Sequence, residues 1–425
     1  MSTPRLLKKL FPFIDWFPLT RRAVRDDIIA GITVALVLVP QSMAYAQLGG
    51  MPAHYGLYAS LIPVVVAALW GSSPHASSGP VAITSLLVAV TLLPFAQPET
   101  PEFIELAILL AFMVGIIRLI VGAFRISFFM NFISLPVLKG FTNAAGIIIV
   151  ISQLDKLFGF SVESGDFILA DLVSIARRIG ELNWAALAMG GGTLVILFVL
   201  RRFARRFPAA MIAVAVTGLL AFLYRDGGSE AMRTLPLVGR IPGGLPGFSV
   251  PELDLGIMID LLPGALMVSL IGFLEVGAIT KSISMKSKRP VDLDREFVGQ
   301  GLSCIAGSFF QSFPTSVSFS RSALSYSAGT KTGLSSVVTG GFVLVTVVFF
   351  SSLLSFIPRA VLGAIIIYAI TGILDFRSLV GVWRISAFDG AAAAPAFAAS
   401  LLFAPNLIYG ILVGAGLSIL LHLYK

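Results

Sequence analysis

The sequence has 425 residues, of which 57% are hydrophobic and only 12% are charged. A soluble protein of this length needs more charged residues to cover its surface, so the composition excludes a soluble globular fold and indicates an integral membrane protein. The net charge of +8 does not indicate nucleic-acid binding, because the basic residues are spread over the segments between apolar stretches.

Apolar segments of about 20 residues, the length of a membrane-spanning helix, recur from Asp27 to the C-terminus. The N-terminal segment 1–26 is basic and amphipathic, and it is predicted to lie along the cytoplasmic membrane surface. Alternate connections are rich in Lys and Arg, and the positive-inside rule then places both termini in the cytoplasm. Fourteen spans are predicted, at 28–48, 55–70, 79–94, 103–124, 132–152, 183–200, 207–224, 260–280, 294–310, 318–329, 332–353, 356–374, 385–403 and 406–424.

The two halves of the chain are related in pattern. The segment 226–259 is rich in Gly and Pro and is predicted to link them. Each half has one polar residue in an otherwise apolar span, Gln41 in the first span and Glu275 in the eighth, and later a Ser/Pro-rich stretch followed by a short helix. Seven spans separate the halves, so the second half runs in the opposite direction, which is typical of an inverted repeat.

The two short helices, 79–93 and 318–329, cannot cross a hydrocarbon core of about 30 Å alone. Pro74, Pro80 and Pro314 stand among serines before them, which disfavours a continuous helix. Non-helical backbone at membrane depth is tolerated only where protein or water covers it. We therefore expect the two helix N-termini to meet at the midplane, where free N–H groups and positive dipole ends favour an anion.

The stretches DIIAGITVALVLVPQSMAYAQLGG, SSGPVAITSLL and GSFFQSFPTSVSFSRSALSYSAGTKT resemble the sulfate permease family, also called solute carrier family 26. The resemblance covers essentially the whole chain. It implies an all-α membrane fold of fourteen spans in two inverted seven-span repeats, shared with uracil permease. The chain ends at HLYK, so we expect the transmembrane part without the cytoplasmic STAS domain that usually follows in the family.

The same resemblance implies a division into two domains. A mobile core consists of 27–125 (spans 1–4) and 260–355 (spans 8–11). A gate consists of 126–225 (spans 5–7) and 356–425 (spans 12–14). The resemblance also implies a homodimer in the inner cell membrane.

Seven residues are expected to bind substrate, in part because they match positions of the family: Gln41, Tyr45, Val81, Ala82, Phe319, Ser320 and Arg321. In the family the position of Arg321 gives the site its positive charge, although an Arg here could instead snorkel to water. Gln41 and Tyr45 lie one helical turn apart and suit either substrate lining or ordinary packing. Val81 and Ala82 would contribute backbone N–H groups.

Glu275 is a carboxylate deep inside a predicted span, where ionisable residues are costly and usually functional. Its alternative role is a structural hydrogen bond to a facing Ser or backbone group. We predict that Glu275 couples transport to a cation, a proton rather than sodium. Ser318 is a further candidate for ion coupling, although its position also suits a helix N-cap.

These features predict a secondary active transporter that moves a small anion, such as sulfate, bicarbonate or a dicarboxylate like fumarate, by proton-coupled symport and alternating access. A sodium-coupled symporter, an anion exchanger and an anion channel remain as alternatives. A Walker A motif, an H-E-x-x-H motif and a nucleophile–base pair are all missing, so neither ATP coupling nor enzymatic activity is expected. One cysteine and three scattered histidines suggest neither a metal site nor another cofactor.

Overall fold

A computed structural model describes residues 11–126, 135–160, 162, 168–204, 207–224, 230–385 and 387–404, with isolated positions at 410, 413, 416 and 417. The predicted span at 406–424 therefore lies outside the described residues, apart from those isolated positions. The first ten residues of the N-terminal segment also lie outside them.

The first half of the described chain is helical apart from one short strand. A 3-10 helix, Pro12–Trp16, precedes the first α-helix, and another, Ile179–Glu181, follows the eighth. The elements are α1 (Arg21–Leu48), α2 (Ala53–Tyr58), α3 (Ile62–Trp70), β1 (Ser78–Gly79), α4 (Ala82–Leu92), α5 (Pro101–Ala123), α6 (Leu135–Ile151), α7 (Leu154–Phe158), α8 (Ile168–Arg177), α9 (Trp184–Phe203), α10 (Ala209–Tyr224) and α11 (Glu230–Arg233).

The second half has the same character. Its elements are α12 (Leu255–Ser287), α13 (Leu293–Ser308), β2 (Ser316–Val317), α14 (Phe319–Ser327), α15 (Leu334–Leu354), α16 (Arg359–Thr371), α17 (Phe376–Ile385) and α18 (Ala387–Leu402). Polar N-cap side chains begin the long helices, because they accept hydrogen bonds from first-turn N–H groups: Thr20 for α1, Thr100 for α5, Asp254 for α12 and Asp292 for α13.

Seven helical segments of the described chain are long and apolar enough to cross a membrane: Arg21–Leu48, Ala53–Trp70, Pro101–Ala123, Pro136–Phe158, Trp184–Phe203, Leu255–Ser287 and Leu334–Leu354. Shorter apolar helices are Ala82–Leu92, Ala209–Tyr224, Arg359–Thr371 and Gly390–Leu402. The total of fourteen spans stays a prediction.

The two short helices are shorter than predicted. α4 has 11 residues and α14 has 9, which at the α-helical rise is roughly 16 Å and 14 Å. The predicted bounds included residues 79–81, which are extended, and Ser318, which is an N-cap. At its other end, α14 stops before Gly329, because the φ of +92° at this residue is incompatible with a continuing α-helix.

The described residues divide into two compact units, unit 1 within 1–128 and 241–352 and unit 2 within 129–240 and 353–425. Unit 1 is built around α13, which packs closely on α5 and α3 through small residues. A side chain at Gly301 of α13 would place its Cβ 2.5 Å from the backbone nitrogen of Leu119 and 2.8 Å from the carbonyl of Gly115, both on α5. Glycine therefore permits the close backbone contact that is typical of membrane helix interfaces.

Unit 2 also has glycines where its helices pack closely. Gly140 of α6 faces the carbonyl of Ala393 in α18, and Gly190 of α9 faces Ala360 of α16. The side-chain carbonyl of Asn143 also accepts a hydrogen bond of 2.8 Å from the backbone of Asp375, which fixes the turn before α17.

Candidate functional site

Two short strands join the extended segments of the two halves inside unit 1. β1 and β2 pair in antiparallel fashion, with Ser78 opposite Val317 and Gly79 opposite Ser316. α4 follows β1 and α14 follows β2 almost directly. The N-termini of the two short helices therefore start from one shared pair of strands.

Further hydrogen bonds extend this junction. The backbone N–H of Ser318 donates to the carbonyl of Ser77 (3.0 Å), and the backbone N–H of Ser77 donates to the hydroxyl of Ser322 (2.9 Å). These partners satisfy backbone groups that no helix pairs, so the segments can remain extended while buried.

The two N-termini are capped differently. The hydroxyl of Ser318 caps α14 by accepting from the backbone N–H of Arg321 (3.5 Å), and it lies 3.3 Å from the hydroxyl of Ser320. Val81 is the N-cap of α4 and supplies no side-chain hydrogen bond, and Ala82 begins the helix. α4 therefore presents the positive end of its dipole without a capping side chain.

Arg321 is the charged group at this junction. Its side chain is fully buried, so it does not snorkel to a surface, and none of its three guanidinium nitrogens has a hydrogen-bond partner among the described residues. A Cβ at Gly79 would lie 3.4 Å from the Nη2 of Arg321, and Gly79 has a φ of +136° that disfavours any side chain. The junction thus holds a buried guanidinium whose donors are available to an anion.

The first helix contributes the polar residues predicted from the sequence. Gln41 and Tyr45 are buried in α1, and the Oε1 of Gln41 has no hydrogen-bond partner among the described residues. Tyr45 interacts electrostatically with both Arg321 and Glu275, so the structure brings these three residues together.

Two predicted site residues are less enclosed. Phe319 is half exposed, and Ser320 is also exposed, whereas Val81 and Ala82 are buried. The assignment of Phe319 and Ser320 as substrate-binding residues stays a prediction.

Glu275 is accompanied by a residue that the sequence analysis did not single out. It interacts electrostatically with Arg118 of α5, and its Oε2 has no hydrogen-bond partner among the described residues. Arg118 is 1% exposed. A lone Arg in the middle of a long apolar span was the available signal, because such residues are rarely incidental.

Two buried carboxylates anchor the loops beside the short helices, and these were also missed. Asp27 accepts hydrogen bonds from the backbone N–H groups of Lys331 (2.6 Å) and Thr332 (3.1 Å) and from the Thr332 hydroxyl (2.6 Å). Glu296 accepts from the backbone N–H groups of Ser72 (2.9 Å) and Ser73 (3.1 Å). Both carboxylates are buried, and their donors lie far away in the sequence.

Comparisons with known proteins agree with this architecture. Residues 24–394 match the profile of the Sulfate permease family. "Probable sulfate transporter 4.2" of Arabidopsis thaliana is 35% identical over 420 residues, which cover 96% of this chain and 61% of that protein. "Sodium-independent sulfate anion transporter" of Bos taurus is 30% identical over an alignment of 453 residues, covering 99% of this chain and 73% of that protein.

The solved structure titled "Structure of murine Solute Carrier 26 family member A9 (Slc26a9) anion transporter in the inward-facing state" superposes with a TM-score of 0.90 at 24% identity, covering 100% of this chain and 72% of that one. The chain thus spans about three fifths of the plant relative and nearly three quarters of the other two. The relatives are named as transporters rather than enzymes. The composition of this chain, its candidate spans and these matches identify an integral membrane protein of several spans. The chain belongs to the sulfate permease family.

Proposed function

We propose that this chain moves a small anion across the membrane as a secondary active transporter. The observation that carries the proposal is Arg321, a fully buried guanidinium without a protein acceptor among the described residues. It lies at the junction from which two helix N-termini start, and both features favour a negative ligand.

The proposed substrates are sulfate, bicarbonate and small dicarboxylates such as fumarate. Sulfate comes first because the names of the plant and bovine relatives refer to it. One guanidinium and two helix N-termini suit each of these anions, so a panel of anions is needed. Competition of each unlabelled anion against labelled sulfate uptake, in vesicles containing the purified protein, would rank them.

Glu275 is the proposed coupling residue, and a proton is the proposed ion. The Oε2 of this carboxyl has no hydrogen-bond partner among the described residues, and the phenol of Tyr45, which Glu275 reaches electrostatically, also interacts with Arg321. Binding or release of a proton at Glu275 would therefore change the electrostatic potential at the anion site. The bovine relative is named as sodium-independent, which favours a proton over sodium.

The experiment is uptake by proteoliposomes with an imposed gradient of protons or of sodium. We expect an inward proton gradient to accelerate uptake by the wild type and to leave Glu275→Gln unaffected, since glutamine cannot carry the proton. If the variant responds like the wild type, Glu275 is not the coupling residue. A response of the wild type to sodium alone would favour a sodium symporter, and uptake driven only by internal anion would favour an exchanger.

The proposed architecture is that of fourteen spans in two inverted repeats, with both termini in the cytoplasm, in a homodimer of the inner cell membrane. The antiparallel pairing of β1 with β2 supports inverted repeats, because a two-fold axis in the membrane plane relates such halves. In this proposal the core, with its anion site, moves against the gate to give alternating access.

A further inference from the structure

Arg118 carries a buried charge that its hydrogen bonds do not neutralise. Its Nη1 donates to the carbonyl of Thr315 (2.5 Å) and lies 3.6 Å from the sulfur of Cys304, while its Nη2 donates to the carbonyl of Val268 (3.4 Å). None of these groups is a carboxylate. Because an uncompensated buried charge is strongly destabilising, a negative partner is expected nearby.

The packing of Arg118 on α12 points to that partner. Its Nη2 lies against Gly272, where a side chain would overlap with the guanidinium. Val268, Gly272 and Glu275 follow one another at the spacing that places residues on one face of a helix. The guanidinium therefore lies about one turn from Glu275, the carboxylate with which it interacts electrostatically.

Three charged or titratable groups from three elements act on the Glu275 carboxyl. They are Arg118 from α5, the phenol of Tyr45 from α1 and, through Tyr45, Arg321 from α14. Arg118 is the cation that interacts with Glu275 directly, whereas the interaction of Arg321 is with Tyr45. Arg118 thus attracts the carboxylate, while the donors of Arg321 have no hydrogen-bond partner among the described residues.

We propose that Arg118 is the internal counter-cation of Glu275, a positioning residue that keeps this carboxylate from pairing with Arg321 and so leaves Arg321 free for the anion. The role of Arg321 in this inference rests on the proposed function. Without the charge of Arg118, ionised Glu275 would turn to the remaining cation, Arg321, and compete with the anion. Protonated Glu275 would not compete, so the effect depends on pH.

The first test needs no substrate. Thermal melting of the purified protein is measured at about pH 8 for the wild type, Arg118→Gln, Glu275→Gln and the double variant. We expect Arg118→Gln to melt several degrees below the wild type, and the double variant to melt above Arg118→Gln, because it also removes the carboxylate that Arg118→Gln leaves without its counter-cation. Strictly additive losses would overturn the pairing. If Arg118→Gln alone fails to fold, folding of the double variant is the same rescue, and its failure would count against the pairing.

The second test is binding of labelled sulfate at about pH 8 and about pH 5.5. Arg118→Gln should bind at least tenfold more weakly than the wild type at the higher pH and approach it at the lower pH, while Arg118→Lys keeps the wild-type profile. A guanidinium that merely holds the Thr315 carbonyl would give equal losses at both pH values, which would overturn the proposed role. Absence of anion binding by the wild type would contradict the proposed function, while the melting test would still decide the pairing of Arg118 with Glu275.

Discussion

At the scale of single residues, Arg321 is expected to provide most of the attraction for the anion. Arg321→Gln keeps some hydrogen-bonding capacity but removes the charge, and a hydrogen bond to a charged group contributes about 1.5–3 kcal/mol. We therefore expect anion affinity to fall by about ten- to a hundredfold. Titration of the purified protein with labelled sulfate measures it, and Arg22→Gln, an exposed arginine of α1, is the matched control. Equal affinities for Arg321→Gln and the wild type would exclude Arg321 from the site.

Asp27 is expected to contribute to stability rather than to binding. Asp27→Asn places an amide group where the carboxylate accepts from Lys331 and Thr332, so at least one buried donor loses its partner. The expected cost is about 1–3 kcal/mol in the free energy of unfolding. Thermal melting measures it, with Asp26→Asn, the same change one residue earlier on α1, as control. Similar melting temperatures for the two variants would show that the hydrogen bonds of Asp27 stabilise little.

The sequence predicted some of these residues and missed others for a physical reason. Arg321, Tyr45 and Glu275 stand out locally, because each is polar beside a short helix or within an apolar span. Asp27 was missed because its partner, the loop at Lys331, is distant in the sequence. Arg118 stands out as a lone Arg in an apolar span, but its partner, the carbonyl of Thr315, is also distant, so its contacts could not be predicted. Tertiary hydrogen bonds of this kind leave no periodic signal.

At the scale of elements, the sequence predicted two short helices, each preceded by an extended segment, and the structure has both helices within the predicted ranges. Proline among serines marks the extended segments, and no continuous helix crosses them. The ends were less accurate, since the predicted helix included Gly79, Pro80 and Val81, which are poor helix formers and are extended at and beside the pairing of β1 with β2. Local propensity and the pairing between distant strands therefore both favour an extended backbone there.

The close packing of α13 on α5 gives a prediction of its own. Gly301→Ala would place a methyl group against the backbone of Leu119, so α13 and α5 would have to move apart to accommodate it. We expect a loss of about 1–3 kcal/mol in stability. Gly341→Ala in α15 is the control, because nothing lies within 4 Å of the added carbon and alanine favours a helix. A melting temperature for Gly301→Ala equal to that of the control would show that α13 and α5 tolerate greater separation.

At the scale of the whole molecule, the proposed mechanism requires unit 1 to move relative to unit 2. Covalent cross-links between introduced cysteines, one in each unit, should stop transport and leave anion binding intact. Cys304→Ala provides the background, because Cys304 is the only cysteine in the chain and is buried. Reduction of the cross-link should restore transport. Normal transport while the link is closed would contradict a rigid-body motion of the units.

The pairing of β1 with β2 also has a consequence for biosynthesis. The hydrogen bond between Ser77 and Ser322 joins positions 245 residues apart, so at about 5–20 residues per second α14 is translated roughly 12–50 seconds after the segment that it completes. During that interval the extended backbone before α4 lacks its hydrogen-bond partners and is unstable in contact with lipid. Protein or water therefore has to cover it until α14 is in place, and the proposed anion site would be completed late in assembly. Substitutions that weaken this pairing should therefore lower the amount of protein that reaches the membrane, through degradation of half-assembled chains, even where the finished site binds normally.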